Sequence, residues 1–141
     1  MNAVQVAAGP RGVASDLPAT LHLRTPLAGL PGHEEFSLSA LDDSGVLFAL
    51  RSASAGMAPV RLFVIAPGLF FPDYAPLLDP AVEAALGSTD SALVPLVIVH
   101  PADGDQPMTA NLLAPLLVDP VTGSTAQVVL EADWPLRAPI A

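Results

Sequence analysis

Cysteine and lysine are both missing from this chain of 141 residues. Without cysteine it can form no disulfide, no thiolate nucleophile and no zinc–thiolate site. Without lysine it can form no Schiff base, and no lysine can reach a bound phosphate in a P-loop. These two absences exclude disulfide-linked secreted scaffolds and several common classes of enzyme chemistry.

Positive charge is scarce as well, because five arginines stand against fourteen aspartates and glutamates and the net charge is −9. Nucleic acids and anionic membrane surfaces bind proteins through patches of positively charged residues. Five arginines are too few to form such a patch. We therefore expect neither nucleic acid nor a membrane as a partner. A basic protein, in contrast, would be steered toward the acidic surface.

Long apolar runs are absent too. The longest, 92–99 and 112–118, fall well short of the ~18 residues that a membrane-spanning helix needs. Residues 1–16 show neither the basic start nor the apolar centre of a secretory signal. We therefore expect a cytoplasmic protein in which 1–16 form a flexible leader and 17–141 form one domain.

The chain does contain many short apolar segments, separated by proline, glycine and polar turns, and 52% of its residues are apolar. Pro95 and Pro115 cannot donate to a strand ladder, so we expect both at edges or bulges. One short helix is predicted at 80–86, with Asp79 as its cap and Gly87 at its end. The pattern is typical of a mainly β domain, a small antiparallel barrel or sandwich. Alternation and β-branched content predict strands at 20–24, 36–40, 46–50, 60–66, 93–99, 111–118 and 126–130.

Residues that carry catalysis or bind metals do not form a recognisable set. His22, His33 and His100 are far apart in the sequence, and no HExxH or GxSxG motif occurs. The acidic pairs lie in polar, turn-like stretches, where a carboxyl group lacks the apolar pocket that a general acid needs. We therefore expect no enzymatic activity, no metal site and no cofactor.

Two other segments are more informative. The sequence FFPDY at 70–74 concentrates three of the seven aromatic residues in one turn-rich stretch. We expect at least one of Phe70 and Phe71 to fill the end of the barrel and Asp73 to lie on the surface. Tyr74 fits either an interface, with its ring buried and its hydroxyl paired, or a structural plug. In TANLLAP at 109–115, Asn111 can bridge backbone groups in a turn or offer its amide to a partner.

Together with three further motifs, these segments resemble the FliW family of flagellar assembly factors. The further matches are GLPG at 29–32 followed by an acidic pair, QVVL at 127–130 and Trp-Pro-Leu-Arg at 134–137. Their order and spacing agree from about residue 27 to the C-terminus. The chain departs from the family pattern at four positions. An aromatic residue is usual at His33, glutamine at Arg51, tyrosine at Trp134 and histidine at Ala138.

The resemblance implies a non-enzymatic, cytoplasmic protein with a small, mostly antiparallel, barrel-like β fold. Family members bind newly made flagellin and the basic translational repressor CsrA, and so relieve the repression of flagellin synthesis. We accordingly expect flagellin and CsrA as partners, a monomer in the free state, and no cofactor. The residues alone leave two alternatives open, a protein-interaction barrel without a flagellar role and an enzyme of unknown class. The candidate partner-binding residues are Phe71, Asp73, Tyr74, Asn111 and Leu112.

Overall fold

The computed structural model describes residues 3–6, 15–24, 34–41, 46–52, 60–67, 70–71, 74, 93–102, 104–120, 122–130 and 133–140, with the backbone only at 3–6 and 15–16. The predicted helix at 80–86 lies outside these residues, as do His33 and Asp73. The described residues form eleven strands. They are β1 (Ala3–Val6), β2 (Ser15–Pro18), β3 (Thr20–Leu23), β4 (Glu35–Ala40), β5 (Leu47–Ser52), β6 (Val60–Ile65), β7 (Val94–His100), β8 (Thr109–Ala110), β9 (Leu116–Val118), β10 (Ser124–Gln127) and β11 (Ala138–Pro139).

Seven of these strands close into a barrel, in the order β3, β4, β5, β6, β7, β9, β10 and back to β3. Neighbours in the ring are antiparallel except β3 and β10, which are parallel. A ring with an odd number of strands cannot alternate direction all the way round, so at least one parallel pair is required. β8 and β11 continue the sheet beyond β7. The prediction of a small, mainly β barrel is confirmed.

The barrel core is built from alternate residues of each strand, because successive side chains of a strand face opposite sides. On β5, the inward-facing side chains of Phe48 and Leu50 are almost completely buried, and Val64 on β6 is buried in the same way. Removal of such apolar surface from water is the main favourable term in folding. The buried members of the barrel core are Leu17, Leu21, Leu23, Phe36, Leu38, Phe48, Leu50, Val64, Ala66, Leu96, Leu116 and Val118.

A second apolar cluster, the outer core, lies on the other face of β6 and β7. Ile65 follows the inward-facing Val64 and therefore points away from the barrel, yet it is also buried. The uninterrupted apolar run 62–65 thus belongs to a strand that is covered on both faces. The buried members of the outer core are Ile65, Val97, Val99, Ala110, Leu112 and Ala138, and Leu47, Phe63, Phe71, Tyr74, Trp134 and Ile140 pack against them.

The strand predicted over 111–118 is wrong as a single element. β8 ends at Ala110 and β9 begins at Leu116, and both pair with β7. Ala110 pairs with Val99 and Leu116 pairs with Leu96. Five residues, 111–115, therefore lie opposite only two residues of β7, 97–98. The chain therefore leaves the sheet at 111–115 and returns to it, and we call this excursion the crossover.

Both prolines of the predicted strands lie where a ladder hydrogen bond is not needed. Pro115 lies in the crossover, and Pro95 pairs with β9 in the part of β7 that does not pair with β6. The last predicted strand, 126–130, is displaced toward the N-terminus, since β10 covers Ser124–Gln127. Residues 128–130 still run beside the crossover, because the amides of Val128 and Leu130 donate to the carbonyls of residues 115 and 113.

Regular structure begins earlier in the chain than the sequence analysis predicts. β1 pairs with β2 in an antiparallel two-stranded sheet, so the expected absence of regular structure over 1–16 does not hold at 3–6 and 15–16. Small residues and three turn formers between these strands hide any period in the sequence. Leu17 on β2 is fully buried in the barrel core. The division into a leader and a domain stays a prediction.

The turn between β9 and β10 depends on a glycine. Gly123 has a φ of 81°, in the left-handed region that favours glycine. Its amide donates to the Asp119 carbonyl at 2.9 Å, and its carbonyl accepts from the His22 amide at 2.9 Å. A Cβ atom at this position would lie 2.7 Å from the backbone oxygen of Thr20. Gly123 therefore allows the turn to approach β3, the strand that β10 pairs with in parallel.

Replacing Gly123 with alanine is expected to lower the free energy of unfolding by at least about 1–2 kcal/mol, because strain in φ and a backbone clash add together. Gly104→Ala provides a matched control. Gly104 also has a positive φ, 58°, but a Cβ atom there would meet nothing within 4 Å. Urea unfolding of both variants separates the two contributions, and an equal loss in both would contradict the predicted clash with Thr20.

Candidate functional site

Three segments that the sequence analysis singled out meet at Tyr74. The described residues of the FFPDY segment, Phe70, Phe71 and Tyr74, follow β6, and Phe70 lies in a turn. The Phe71 amide donates to the Pro67 carbonyl at 2.8 Å, and the Tyr74 amide donates to the Phe71 carbonyl at 2.9 Å. Phe71 and Tyr74 are half-buried and pack against the outer core. The ring of Tyr74 therefore lies back on the sheet, against the outer core.

The side chain of Tyr74 joins this segment to the crossover and to the C-terminal segment. Its hydroxyl donates to the Leu112 carbonyl at 2.7 Å. Its ring meets Trp134 edge-on, with the centroids 4.7 Å apart and the planes at 81°, a favourable arrangement for two aromatic rings. Burial raises the pKa of Tyr74 well above its usual range, so the phenol stays protonated and available as a donor. We call Phe71, Tyr74, Leu112 and Trp134 the Tyr74 junction.

The crossover is held in place by hydrogen bonds from its own residues. The Asn111 amide donates to the Ile98 carbonyl at 2.9 Å, and its side-chain oxygen accepts from the Ala114 amide at 3.0 Å. Asn111 is buried, and this bond corresponds to the first of the two roles that the sequence leaves open, the bridging of backbone groups. The Leu112 amide donates to the Pro135 carbonyl at 3.1 Å, which fixes the C-terminal segment against the crossover.

The candidate partner-binding residues therefore occupy different depths. Leu112 is only 2% exposed and Asn111 is buried, so both support the site from beneath rather than offer side chains to a partner. Phe71 and Tyr74 are half-buried, and Asp73 lies outside the described residues. The expectation that a phenylalanine of FFPDY fills the end of the barrel is wrong, because Phe71 is half-buried against the outer core, on the outer face of the sheet, and Phe70 is 39% exposed.

One exposed residue beside the junction is missed by the sequence reading. Leu136 is 53% exposed and follows Pro135, the residue whose carbonyl binds the crossover. The available signal is an apolar residue between proline and arginine, which the sequence alone does not distinguish from a core position. Phe70 and Leu136 are thus exposed apolar residues next in the chain to Phe71 and Pro135, and we call these two residues the exposed margin.

The two described histidines have different surroundings. His22 lies with its Nδ1 atom 3.8 Å from a carboxylate oxygen of Glu35, and both side chains are exposed. His100 is half-buried, and its Nε2 atom has no hydrogen-bond partner among the described residues. Burial, and to a smaller extent the charge of Arg137, lowers the pKa of His100. No group of three or more metal-ligating side chains occurs in the described part of the chain, and no helix there is long and apolar enough to cross a membrane.

Comparison with known proteins identifies the family. The family model described as "FliW protein" matches residues 11–140. The chain belongs to the FliW family. It is 33% identical over 126 residues to flagellar assembly factor FliW 2 of Desulfotalea psychrophila, covering 86% of this chain and 80% of that protein. It is 31% identical over 119 residues to flagellar assembly factor FliW of Heliobacterium modesticaldum, covering 82% and 76%.

The fold agrees with a solved structure of the same family. A crystal structure of the flagellar assembly factor FliW superposes with a TM-score of 0.72, at 21% identity and with 96% of each chain covered. The resemblance found in the sequence motifs is thus confirmed. Of the four departures from the FliW pattern, Trp134 lies in the Tyr74 junction, Ala138 is buried in β11, Arg51 is exposed on β5, and His33 lies outside the described residues.

Proposed function

We propose that this FliW family member is a cytoplasmic, non-enzymatic regulator that binds newly made flagellin and the translational repressor CsrA. In this function it keeps CsrA from silencing flagellin messages until free flagellin competes for it. The observation that carries the proposal is the match of the FliW family model to residues 11–140. Relatives at 31–33% identity are named flagellar assembly factors.

Charge supports a basic protein as one of the partners. The chain has a net charge of −9, and its fourteen carboxylates greatly outnumber its five arginines. A surface of this kind raises the association rate of a positively charged partner and repels nucleic acid. CsrA is a basic RNA-binding protein, so an acidic competitor is well suited to reach it.

The Tyr74 junction supports a role as the partner-binding surface. Its hydrogen bond and its edge-on ring pair fix three chain segments against one another. The exposed margin is attached to hydrogen-bonded backbone, because the Phe70 amide donates to the Pro67 carbonyl and the Pro135 carbonyl next to Leu136 accepts from the Leu112 amide. Binding at such a surface costs less conformational entropy than binding that must first order a loop.

Calorimetric titration with flagellin monomers and with CsrA from the same organism tests the proposal. We expect both partners to bind the wild-type protein. Phe70→Ser and Leu136→Ser are each expected to weaken binding by about tenfold or more, the usual effect of truncating an interface anchor. Leu41→Ser is the matched control, because Leu41 is 40% exposed, close to the 39% of Phe70, but lies at the β4–β5 connection outside the junction.

Two outcomes distinguish a failure of the proposed function from a failure of the proposed binding surface. If neither flagellin nor CsrA binds the wild-type protein, the proposed function is contradicted. If both bind and all three variants bind equally well, the function stands and the junction is not the surface. Melting temperatures of the variants are measured alongside, since exposed positions are expected to change stability little.

A further inference from the structure

A polar row crosses four strands on the outside of the barrel. Thr20 on β3 pairs with Ser37 on β4, Ser37 pairs with Arg51 on β5, and Arg51 pairs with Arg61 on β6. The neighbours of these residues along each strand point into the barrel core, so the row itself faces outward. The row ends in two arginines that are direct cross-strand partners and are both exposed.

The arginine pair is unfavourable on its own. Like charges directly opposite each other on one face of a sheet are destabilising. No carboxylate oxygen of the described residues lies within 4.0 Å of either guanidinium, and the described ion pair of this face joins His22 and Glu35. The pair also contains two of the five cations in a chain with fourteen carboxylates. Positive charge is therefore concentrated here without a partner among the described side chains.

The surroundings of the pair hold the side chain of Arg61 and the backbone of Arg51. The Arg61 guanidinium carbon lies 5.1 Å from the centre of the Phe63 ring, which is close enough for a cation–π contact. The Ser37 hydroxyl donates to the Arg51 carbonyl at 3.3 Å and lies beside it on the same face. The Arg61 side chain is thus held over an aromatic ring, and the Arg51 backbone is fixed by its strand pairing and by the Ser37 hydroxyl.

We propose that Arg51 and Arg61 form a binding site for a divalent tetrahedral oxyanion, such as sulfate or a phosphate group. The guanidiniums of two cross-strand partners on one face present several N–H donors, each set in a planar arrangement, which suits an ion with acceptor oxygens on more than one side. An ion of charge −2 neutralises the pair and removes its internal repulsion. The site lies on β5 and β6, and it does not depend on the proposed binding of flagellin or CsrA.

Titration of the isotope-labelled full chain with sodium sulfate, at constant ionic strength and pH, tests this site by NMR. We expect saturable shifts of the Ser37, Arg51 and Arg61 amides. Arg51→Gln is expected to weaken sulfate binding by about tenfold or more, because a charge-assisted contact is lost. Arg137→Gln removes the same charge elsewhere and should leave sulfate binding unchanged. Inorganic phosphate and phosphoserine are titrated in parallel, and tighter binding of one identifies the source of the oxyanion.

Thermal unfolding supplies a second readout that does not depend on assignment of the spectrum. In chloride, Arg51→Gln is expected to melt roughly 1–2 °C above the wild type, because a like-charge pair is removed. In sulfate at the same ionic strength this order should reverse. An equal response of wild type, Arg51→Gln and Arg137→Gln to sulfate, or shifts that grow linearly without saturation, would overturn the proposed site.

Discussion

Replacing Phe48 with alanine is expected to lower the free energy of unfolding by about 3–5 kcal/mol. Phe48 is fully buried on the inward face of β5, and its ring lies in the barrel core. The pairs Phe48–Ala40 and Phe48–Val64 place it between β4 and β6, so the ring is surrounded by strands that cannot move together to fill the cavity. Urea unfolding followed by circular dichroism measures the loss.

Phe63→Ala is the comparison variant. Phe63 lies on the outward face of β6, where it is half-buried against the outer core and lies under the Arg61 guanidinium. Less apolar surface returns to water when this ring is removed, so the loss should be clearly smaller than for Phe48. A loss for Phe63→Ala equal to or above that for Phe48→Ala would mean that the outer core, and not the barrel interior, dominates stability.

Local pattern predicts the strands of this fold but not their closure. Alternation along 20–24 and 36–40, and the apolar run at 60–66, place β3, β4 and β6 within a residue or two. The parallel pair of β3 and β10 joins His22 to Ser124, which are about a hundred residues apart in the sequence. The periodicity of a short segment gives no information about a contact between residues so far apart. The sheet closes into a barrel because closure leaves no unpaired strand edge, and the strands that complete the ring are far apart in the sequence.

The crossover shows a different limit. Residues 111–118 are almost uninterruptedly apolar, which is typical of a buried strand and equally of a buried loop. In the structure, 111–115 are a buried loop and not part of a strand. The side-chain oxygen of Asn111 accepts a hydrogen bond from the Ala114 amide and so takes the place of a partner strand. The sequence does raise this bridging role for Asn111, but the residue type alone cannot exclude an exposed amide.

The candidate site is predictable in its parts and not in its contacts. The motifs at 70–74, 109–115 and 134–137 are visible in the sequence, but the bond between Tyr74 and Leu112 spans 38 residues. The pairing of Arg51 with Arg61 likewise depends on the register of β5 and β6, and a shift of one residue would turn one arginine inward. The chemistry of both places becomes clear only when the strand register is known.

Replacing Tyr74 with alanine is expected to lower the free energy of unfolding by about 2–4 kcal/mol, because a half-buried ring, its contact with Trp134 and its hydrogen bond are lost together. Tyr74→Phe keeps the ring and removes only the hydroxyl that donates to the Leu112 carbonyl. Its cost should be about 0.5–1.5 kcal/mol. If Tyr74 is a structural plug, Tyr74→Phe binds flagellin and CsrA as tightly as the wild type while melting at a lower temperature. Lost affinity at an unchanged melting temperature would instead place the hydroxyl in the interface.

The pH dependence of stability isolates the same hydroxyl. Burial raises the pKa of Tyr74 in the folded protein above the value of about 10 that an unfolded tyrosine has. The folded state therefore holds the phenol proton more tightly than the unfolded state does. The contribution of the protonated phenol to stability is complete below about pH 10 and is lost as the pH rises toward the pKa of the folded state. Tyr74 is the only tyrosine, and cysteine and lysine are absent, so no other side chain apart from arginine titrates in this range. We expect the unfolding free energy of the wild type to decrease above about pH 10, and that of Tyr74→Phe to stay level there. A parallel decrease in both proteins would show that the phenol is solvated and that the Leu112 bond contributes nothing.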